Sequence, residues 1–229
     1  MREQKSIIDD LSDEARIIRD VLHTHLPQKW DGRKSILALR EVDYNWRQME
    51  WIGWYLEYFG REALMAHYGG DDGPRYGKTT FDYRNRYVWD FKAHPSNSPS
   101  SKWAIMNDCE AVDQCIAEYG GVGFIIALGE ADYNSDQRDF YIWHKELKSG
   151  MSNYEKERVA RGAPSRRRKV AFSVEEYITV FFKDRSQVEQ ALQNGWLDYF
   201  QKNMRNADGS PRRAKYKINL GISSDRLRV

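Results

Sequence analysis

Phe81-Asp82-Tyr83-Arg84-Asn85-Arg86-Tyr87-Val88-Trp89-Asp90-Phe91-Lys92-Ala93 is the stretch of this 229-residue sequence on which the fold turns. Thr79–Tyr83 reads as one strand, Arg84-Asn85-Arg86 as a tight turn, and Tyr87–Ala93 as a second strand rich in aromatic and β-branched residues. Side chains alternate along a strand, so Val88, Asp90 and Lys92 share one face and Tyr87, Trp89, Phe91 and Ala93 the other. The second face is apolar apart from one hydroxyl and anchors the strand in a core. The first then carries Asp90 and Lys92 about 7 Å apart along the chain, pointing into one cleft. Asp82 converges on them across the turn.

Outward from this hairpin, residues 5–25 predict a helix, with Ile7, Ile8, Leu11, Ala15, Ile18, Val21 and Leu22 at helical spacing. A second, aromatic-rich helical stretch covers Ser35 to His67, broken near Asp43 and ended by Gly69-Gly70. After the hairpin, His94–Ser101 reads as a Pro/Ser loop, Ala104–Tyr119 as a helix and Val122–Gly129 as a buried strand. A turn at Asn134–Gln137 leads to a strand over Asp139–Glu146, then to a basic loop over Gly150–Ser165. Ser173 and Glu176 match a capping box, which predicts a helix from Val174. Gln187–Met204 is amphipathic at helical spacing, and Tyr216–Ile222 reads as a short strand. This order describes one α/β (α+β) domain over residues 1–229, a mixed β-sheet flanked by helices. Its core lies at about residues 40–146, with a basic arm and helical part at about 148–229.

Composition sets the outer limits. At 41% hydrophobic and 14% aromatic, with eight tryptophans, the chain has ample material for a core. Its longest apolar run, near Gly123–Leu128, is too short to span a bilayer, so no membrane partner is expected. The start of the chain does not read as a secretory signal, and Cys109 and Cys115, six apart on one predicted helix, do not share a face. A reducing cytoplasm fits. The net charge is only +2, yet residues 148–169 carry eight basic residues against two acidic ones, and residues 201–229 repeat that ratio. Such local excess points to a polyanion-binding face. Arg158, Arg161, Arg166, Arg167, Arg168 and Lys169 form one group and Arg212 and Arg213 head another. The alternative is a solvated loop and tail.

Two carboxylates and a phosphate oxygen make a hard oxygen site suited to Mg²⁺. A lysine beside them orients, or helps to deprotonate, the attacking water, and phosphodiester hydrolysis by this route needs neither cysteine nor histidine. Two other patterns compete with this one. Gly73-x3-Gly77-Lys78-Thr79 is one residue short of a phosphate loop and opens a strand rather than a helix, so no nucleotide triphosphate is expected. Of three D/E-x-K matches, Glu3-Gln4-Lys5 sits at a terminus and Glu146-Leu147-Lys148 follows Asp139 on an expected strand. Only Asp90-Phe91-Lys92 combines a second acid with an apolar back face. A salt-bridged surface strand is the bland alternative. His23 and His25 cannot chelate from one helix face, and His94 lies beside the cleft within reach of a phosphate.

The hairpin resembles the PD-(D/E)XK nucleases, among them the type II restriction endonucleases. Asp82 stands as the first acid, with Phe81 where the family name has proline, and Asp90-Phe91-Lys92 as the D-x-K element. The resemblance covers roughly residues 40–146 and includes helix Asn45–His67, helix Ala104–Tyr119 and strand Val122–Gly129. It implies a restriction-endonuclease-like fold, metal binding by Asp82 and Asp90, and Lys92 as a catalytic residue. Many members add a metal-facing glutamate from the preceding helix, for which Glu50 is the choice and Glu57 the rival two turns on. The implied activity is Mg²⁺-dependent cleavage of double-stranded DNA by a homodimer, leaving 5′-phosphate and 3′-hydroxyl ends. A repair or structure-specific nuclease on the same site, and a non-catalytic DNA-binding protein using the basic patches, are the alternatives.

Overall fold

The computed structural model describes residues 2–99, 101–133, 138–151, 153–163, 167–205, 209–221 and 227–229. The expected turn at Asn134–Gln137, and Arg166 of the basic arm, lie outside them. The mixed α+β character expected from the element order is what the chain adopts. In chain order the first half runs α1 (Arg2–His25), β1 (Lys29–Asp31), α2 (Gly32–Glu41), α3 (Trp51–Tyr55), a π-helical turn at Leu56–Gly60, α4 (Arg61–His67), β2 (Arg75–Tyr76), β3 (Thr79–Thr80), β4 (Tyr83–Arg84) and β5 (Val88–Pro95). The second half runs β6 (Trp103–Asp108), α5 (Cys109–Tyr119), β7 (Val122–Asp132), α6 (Arg138–Leu147), α7 (Asn153–Ala160), β8 (Ala171–Phe182), α8 (Arg185–Gln193), β9 (Leu197–Phe200) and β10 (Lys215–Asn219).

The main sheet has the order β1-β8-β7-β5-β4, and β6-β10-β9 form a second, three-stranded sheet. β5 and β7 are parallel, with Trp89 level with Gly123 and Lys92 level with Ile126, while β4–β5 and β7–β8 are antiparallel. α1, α2, α3 and α6 contribute to a core on one face of the main sheet that includes Trp30, Trp51, Trp89, Phe91, Ile125 and Phe172. On the other face α5, α8, β6 and β10 enclose Val88, Met106, Phe124, Ile126, Val180 and Ile218. β5 therefore divides its faces as its alternation requires. Trp89 and Phe91 enter the first core and Val88 the second. Gly123 makes room for the Trp89 indole, since a Cβ there would lie 2.2 Å from a ring carbon. The indole Nε1 donates to Glu14 Oε1 of α1 at 2.9 Å, which ties the buried strand to the first helix.

Several local readings are corrected. Ala171–Phe182 is a strand, not a helix capped by Ser173. Its Tyr-Ile-Thr-Val-Phe-Phe run favours extended backbone, and β8 is paired on both sides by β7 and β1. Long-range pairing outweighs a four-residue capping signature. Trp103–Asp108 is also a strand, because Ala104 and Met106 are buried while Ile105 between them is exposed. Only Cys109–Tyr119 of the predicted segment is helical. Conversely, Arg138–Leu147 is a helix rather than a strand. Phe140, Trp143, His144 and Leu147 recur at i, i+3, i+4 and i+7, and Phe140 and His144 are buried. The Gly150–Ser165 segment contains a helix, α7, in which Glu155 is buried. The Gln187–Met204 segment is helical only to Gln193 and continues as β9. The main sheet also draws on residues 29–31 and 171–182, on both sides of the 40–146 core expected from sequence. Among the described residues no helix is long and apolar enough to cross a membrane.

Candidate active site

Two residues of β4 pair with β5, Tyr83 opposite Trp89 and Arg84 opposite Val88, and the next step of that register brings Asp82 level with Asp90. Two hydrogen bonds hold it there. The Asp82 amide donates to Trp89 O at 3.1 Å, and the Phe91 amide donates to Asp82 Oδ2 at 2.7 Å. β4 is only two residues long, so the edge of β5 beyond it is left to the helical segment, which packs along β5 through α3 and the π-turn. Glu57 comes from that π-turn. π-turns are rare, widen a helix locally and occur frequently at functional sites.

Asp90 is 1% exposed. Its Oδ1 accepts from Asn107 Nδ2 of β6 at 2.7 Å, and its Oδ2 accepts from the Lys92 ammonium. Glu57 accepts a hydrogen bond from the Tyr44 hydroxyl. Tyr44 in turn packs against Trp54 and Tyr58, with ring centroids 6.3 and 5.0 Å away. It sits between Asp43 (φ 50) and Asn45 (φ 42), two non-glycine residues in the left-handed region. Backbone held there costs on the order of 1–3 kcal/mol per residue and persists only where the surroundings enforce it.

The electrostatics bind these groups into one cluster. Burial pushes the Asp82 carboxyl well above its usual range, and Asp90 and Glu57 push it further. Burial also raises Glu57, against the lowering effect of the Tyr44 hydrogen bond and Lys92. For Lys92, burial favours the neutral amine, but Asp90, Asp82 and Glu57 together outweigh it and hold the ammonium above its ordinary value. Three carboxyl groups thus face one ammonium in a partly desolvated site. The excess of hard oxygen donors over positive charge is the chemistry that accommodates a divalent cation. Among the described residues, no three His, Cys, Asp or Glu side chains gather closely enough to enclose an ion by themselves. Mg²⁺ is ordinarily held by one or two carboxylates together with waters and substrate phosphate, so such an ion does not require a group of three.

The remaining residues singled out in the sequence take the following places. Glu50 precedes α3, is exposed, and accepts from Lys169 Nζ at 2.6 Å, whereas Glu57 stands with Asp82 and Asp90. Glu146 and Asp139 lie on α6, so their segment forms no hairpin. Gly77 (φ 60) turns the hairpin between β2 and β3, and no helix begins at Thr79. His94 Nε2 lies 2.9 Å from Ser101 O, and burial lowers its pKa. Arg168 is buried, approaches Glu155 at 3.5 Å and lies over the Tyr141 ring, and Arg158 shares Glu155 at 4.0 Å. Arg213 turns to Asp108 at 3.4 Å. Arg161, Arg167 and Arg212 are exposed. Tyr44 and Asn107 were missed in the sequence. Asn107 fell inside a stretch read as helix, and nothing in the local pattern links Tyr44 to an acid thirteen residues on.

Comparison with protein-family models, with curated proteins and with solved structures finds no match for this chain. The reading of this cluster therefore rests on its own geometry: two aspartates held level on a hairpin, a glutamate delivered by a π-turn, and one lysine paired to the innermost acid.

Proposed function

We propose that this chain is a Mg²⁺-dependent DNA endonuclease of the PD-(D/E)XK type, acting as a type II restriction endonuclease. The observation that carries the reading is the convergence of Asp82, Asp90 and Glu57 on Lys92 at the edge of a mixed sheet whose neighbouring strand β7 is parallel to β5. Asp82 and Asp90 would hold the ion, with Glu57 supporting them. Bound there, a divalent ion supplies charge neutralisation for the phosphate and an acidified water.

The chain's own groups do the rest. Asn107 and the Phe91 amide fix the orientations of the Asp90 and Asp82 carboxylates, so donor oxygens need little reorganisation. The carboxylates raise the Lys92 pKa, which favours the ammonium as a donor that orients a phosphate oxygen or water. The exposed Arg161, Arg167 and Arg212 are available to phosphates, which supplies affinity without sequence information. A palindromic site would be met by a two-fold homodimer, one cluster per strand, leaving 5′-phosphate and 3′-hydroxyl ends.

The test is digestion of phage and plasmid DNA with millimolar Mg²⁺ or with chelator, by the natural chain and by Asp90→Ala. Discrete fragments that need both Mg²⁺ and Asp90 are expected. A smear with the same dependence would redirect the proposal to structure-specific or repair cleavage. Intact DNA throughout would defeat it.

A further inference from the structure

Many of the described arginines are committed to carboxylates: Arg86 to Asp10, Arg158 and Arg168 to Glu155, and Arg213 to Asp108. Arg33, Arg40 and Arg47 are placed differently. All three are exposed, and among the described residues none lies within ion-pair distance of a carboxylate. Each instead lies over an indole. Arg33 is 5.4 Å from the Trp143 ring, and Arg40 and Arg47 are 5.4 and 4.3 Å from the Trp46 ring. A guanidinium over an aromatic face is restrained in position yet keeps its N–H fork for another acceptor.

The two indoles belong to one block. Trp143 stacks against His144, and His144 Nε2 lies 2.9 Å from Trp46 O. Arg33, Leu37 and Arg40 follow one another at i, i+4 and i+7, so they line one stripe of α2, and Leu37 is 40% exposed. The nearby acids Asp31, Glu41 and Asp43 are exposed and keep their charge, although two of them accept local hydrogen bonds. Asp31 caps α2 by accepting from the Lys34 amide, and Asp43 accepts from Trp46 Nε1 at 3.1 Å; Glu41, on the flank of the stripe, is exposed. Lys148, one turn beyond His144, adds to the positive field. Burial lowers its pKa, and repulsion from Arg168 and Arg47 lowers it further against the pull of Glu155. Tyr44, which lies in the chain between Arg40 and Arg47, donates its hydroxyl to Glu57 and so links this segment to the acid cluster.

We propose that Arg33, Arg40 and Arg47 form the surface that grips the phosphodiester backbone of duplex DNA and leads it to the carboxylate cluster, an inference that rests on the nuclease reading above. Three exposed guanidinium groups, one over Trp143 and two over Trp46, each keep a fork of N–H donors that can bind a phosphate in bidentate fashion. The basic arm at 158–169 contributes less, because Arg158, Arg168 and Lys169 are turned onto Glu155 and Glu50.

The experiment measures binding of a short labelled DNA duplex in chelator, so that no cleavage intervenes, over a salt series. Natural chain, R33Q/R40Q/R47Q, and a control R161Q/R167Q/R212Q are compared, with circular dichroism to confirm folding. Each phosphate contact contributes about 0.9 to the slope of log affinity against log salt, so the first variant should lose about two to three from that slope and the control less. R40Q and R47Q alone should each lose about one, which keeps the test open if the triple variant misfolds. An unchanged slope would overturn the proposal even if the natural chain cuts DNA. So would failure of the natural chain to bind duplex, or arginine-dependent binding of anionic vesicles without binding of DNA. Arginine-dependent binding without Mg²⁺-dependent cleavage would uphold this surface and sink the nuclease reading instead.

Discussion

Asp82→Asn is the most informative single change, because it separates the cost of the acid cluster from its use. In the folded chain the Asp82 carboxyl titrates well above its usual 3.8 because of burial and of Asp90 and Glu57. Between the unfolded and folded values the native state binds more protons, so this group's contribution to stability declines as pH rises through that window. Its charge is therefore a burden at neutral and alkaline pH. Asparagine keeps the oxygen that accepts the Phe91 amide and removes the charge. Part of the gain is offset because Lys92 loses one of its partners. A net gain of about 1 kcal/mol, the usual size of a single-residue effect, would raise the melting temperature of a chain this size by about 2–4 °C at about pH 8 in chelator. Below about pH 3, where aspartic acid is largely protonated in both states, the difference should vanish. With Mg²⁺ added the order should reverse, since an ion at 100 times its dissociation constant stabilises the natural chain by about 2.7 kcal/mol and the variant by little. Thermal melts over pH, with and without Mg²⁺, read all of this. A variant that melts below the natural chain at about pH 8 in chelator would refute the charge-burden argument. Equal responses to Mg²⁺ would refute the metal assignment.

The other predictions follow from the same contacts. Glu57→Gln should abolish Mg²⁺-dependent cleavage, whereas Glu50→Gln should retain it and change stability by only about 0–1 kcal/mol, as expected for an exposed ion pair with Lys169. Loss of cleavage in the Glu50 variant alone would reverse the choice. Tyr44→Phe removes a hydrogen bond that lowers the Glu57 pKa, so the Glu57 carboxyl should titrate still higher, seen by carbon NMR of labelled glutamate. An unchanged titration would show that Tyr44 does not set it. Lys92→Met leaves Asp90 buried with Asn107 as its remaining side-chain partner and should destabilise by about 3 kcal/mol, measured by urea unfolding at neutral pH. His144 is buried and its pKa falls from 6.5 to about 4, so the natural chain should lose stability as pH drops through that interval, and His144→Asn should flatten the loss. A pH dependence identical in both proteins would exclude His144 as its source.

The face that Asp90 and Lys92 share on β5 was legible because it depends on short-range facts, whereas the expected first strand, Thr79–Tyr83, is split: Thr79–Thr80 pairs with β2 and only Tyr83–Arg84 pairs with β5. A tight turn and strict alternation place Asp90 and Lys92 on one face and Trp89 and Phe91 on the other whatever surrounds them. The α1 helix and the buried β7 strand were readable for the same reason, each carrying a long periodic apolar pattern. The errors fell where local chemistry and tertiary burial disagree. Ser173-x-x-Glu176 is a fair helix start in isolation, yet this segment fills the gap between β7 and β1, where backbone groups must pair laterally. Trp103–Asp108 and Arg138–Leu147 are short enough that apolar spacing alone fits both helix and strand, and only their neighbours settle the matter.

The site divides along the same line. By itself the sequence determined the Asp82, Asp90 and Lys92 constellation and the composition of the core. Only the tertiary structure set Glu57 in the electrostatic field of Asp82 and Asp90 and left Glu50, ahead of α3, exposed and paired with Lys169. Only it brought Asn107 to Asp90, seventeen residues away on another sheet. It likewise turned Arg158, Arg168 and Lys169 inward onto carboxylates and left Arg33, Arg40 and Arg47 free of them among the described residues. A basic residue in a sequence states only its charge. Whether that charge faces solvent or is spent on an internal partner depends on which distant acid the fold sets beside it.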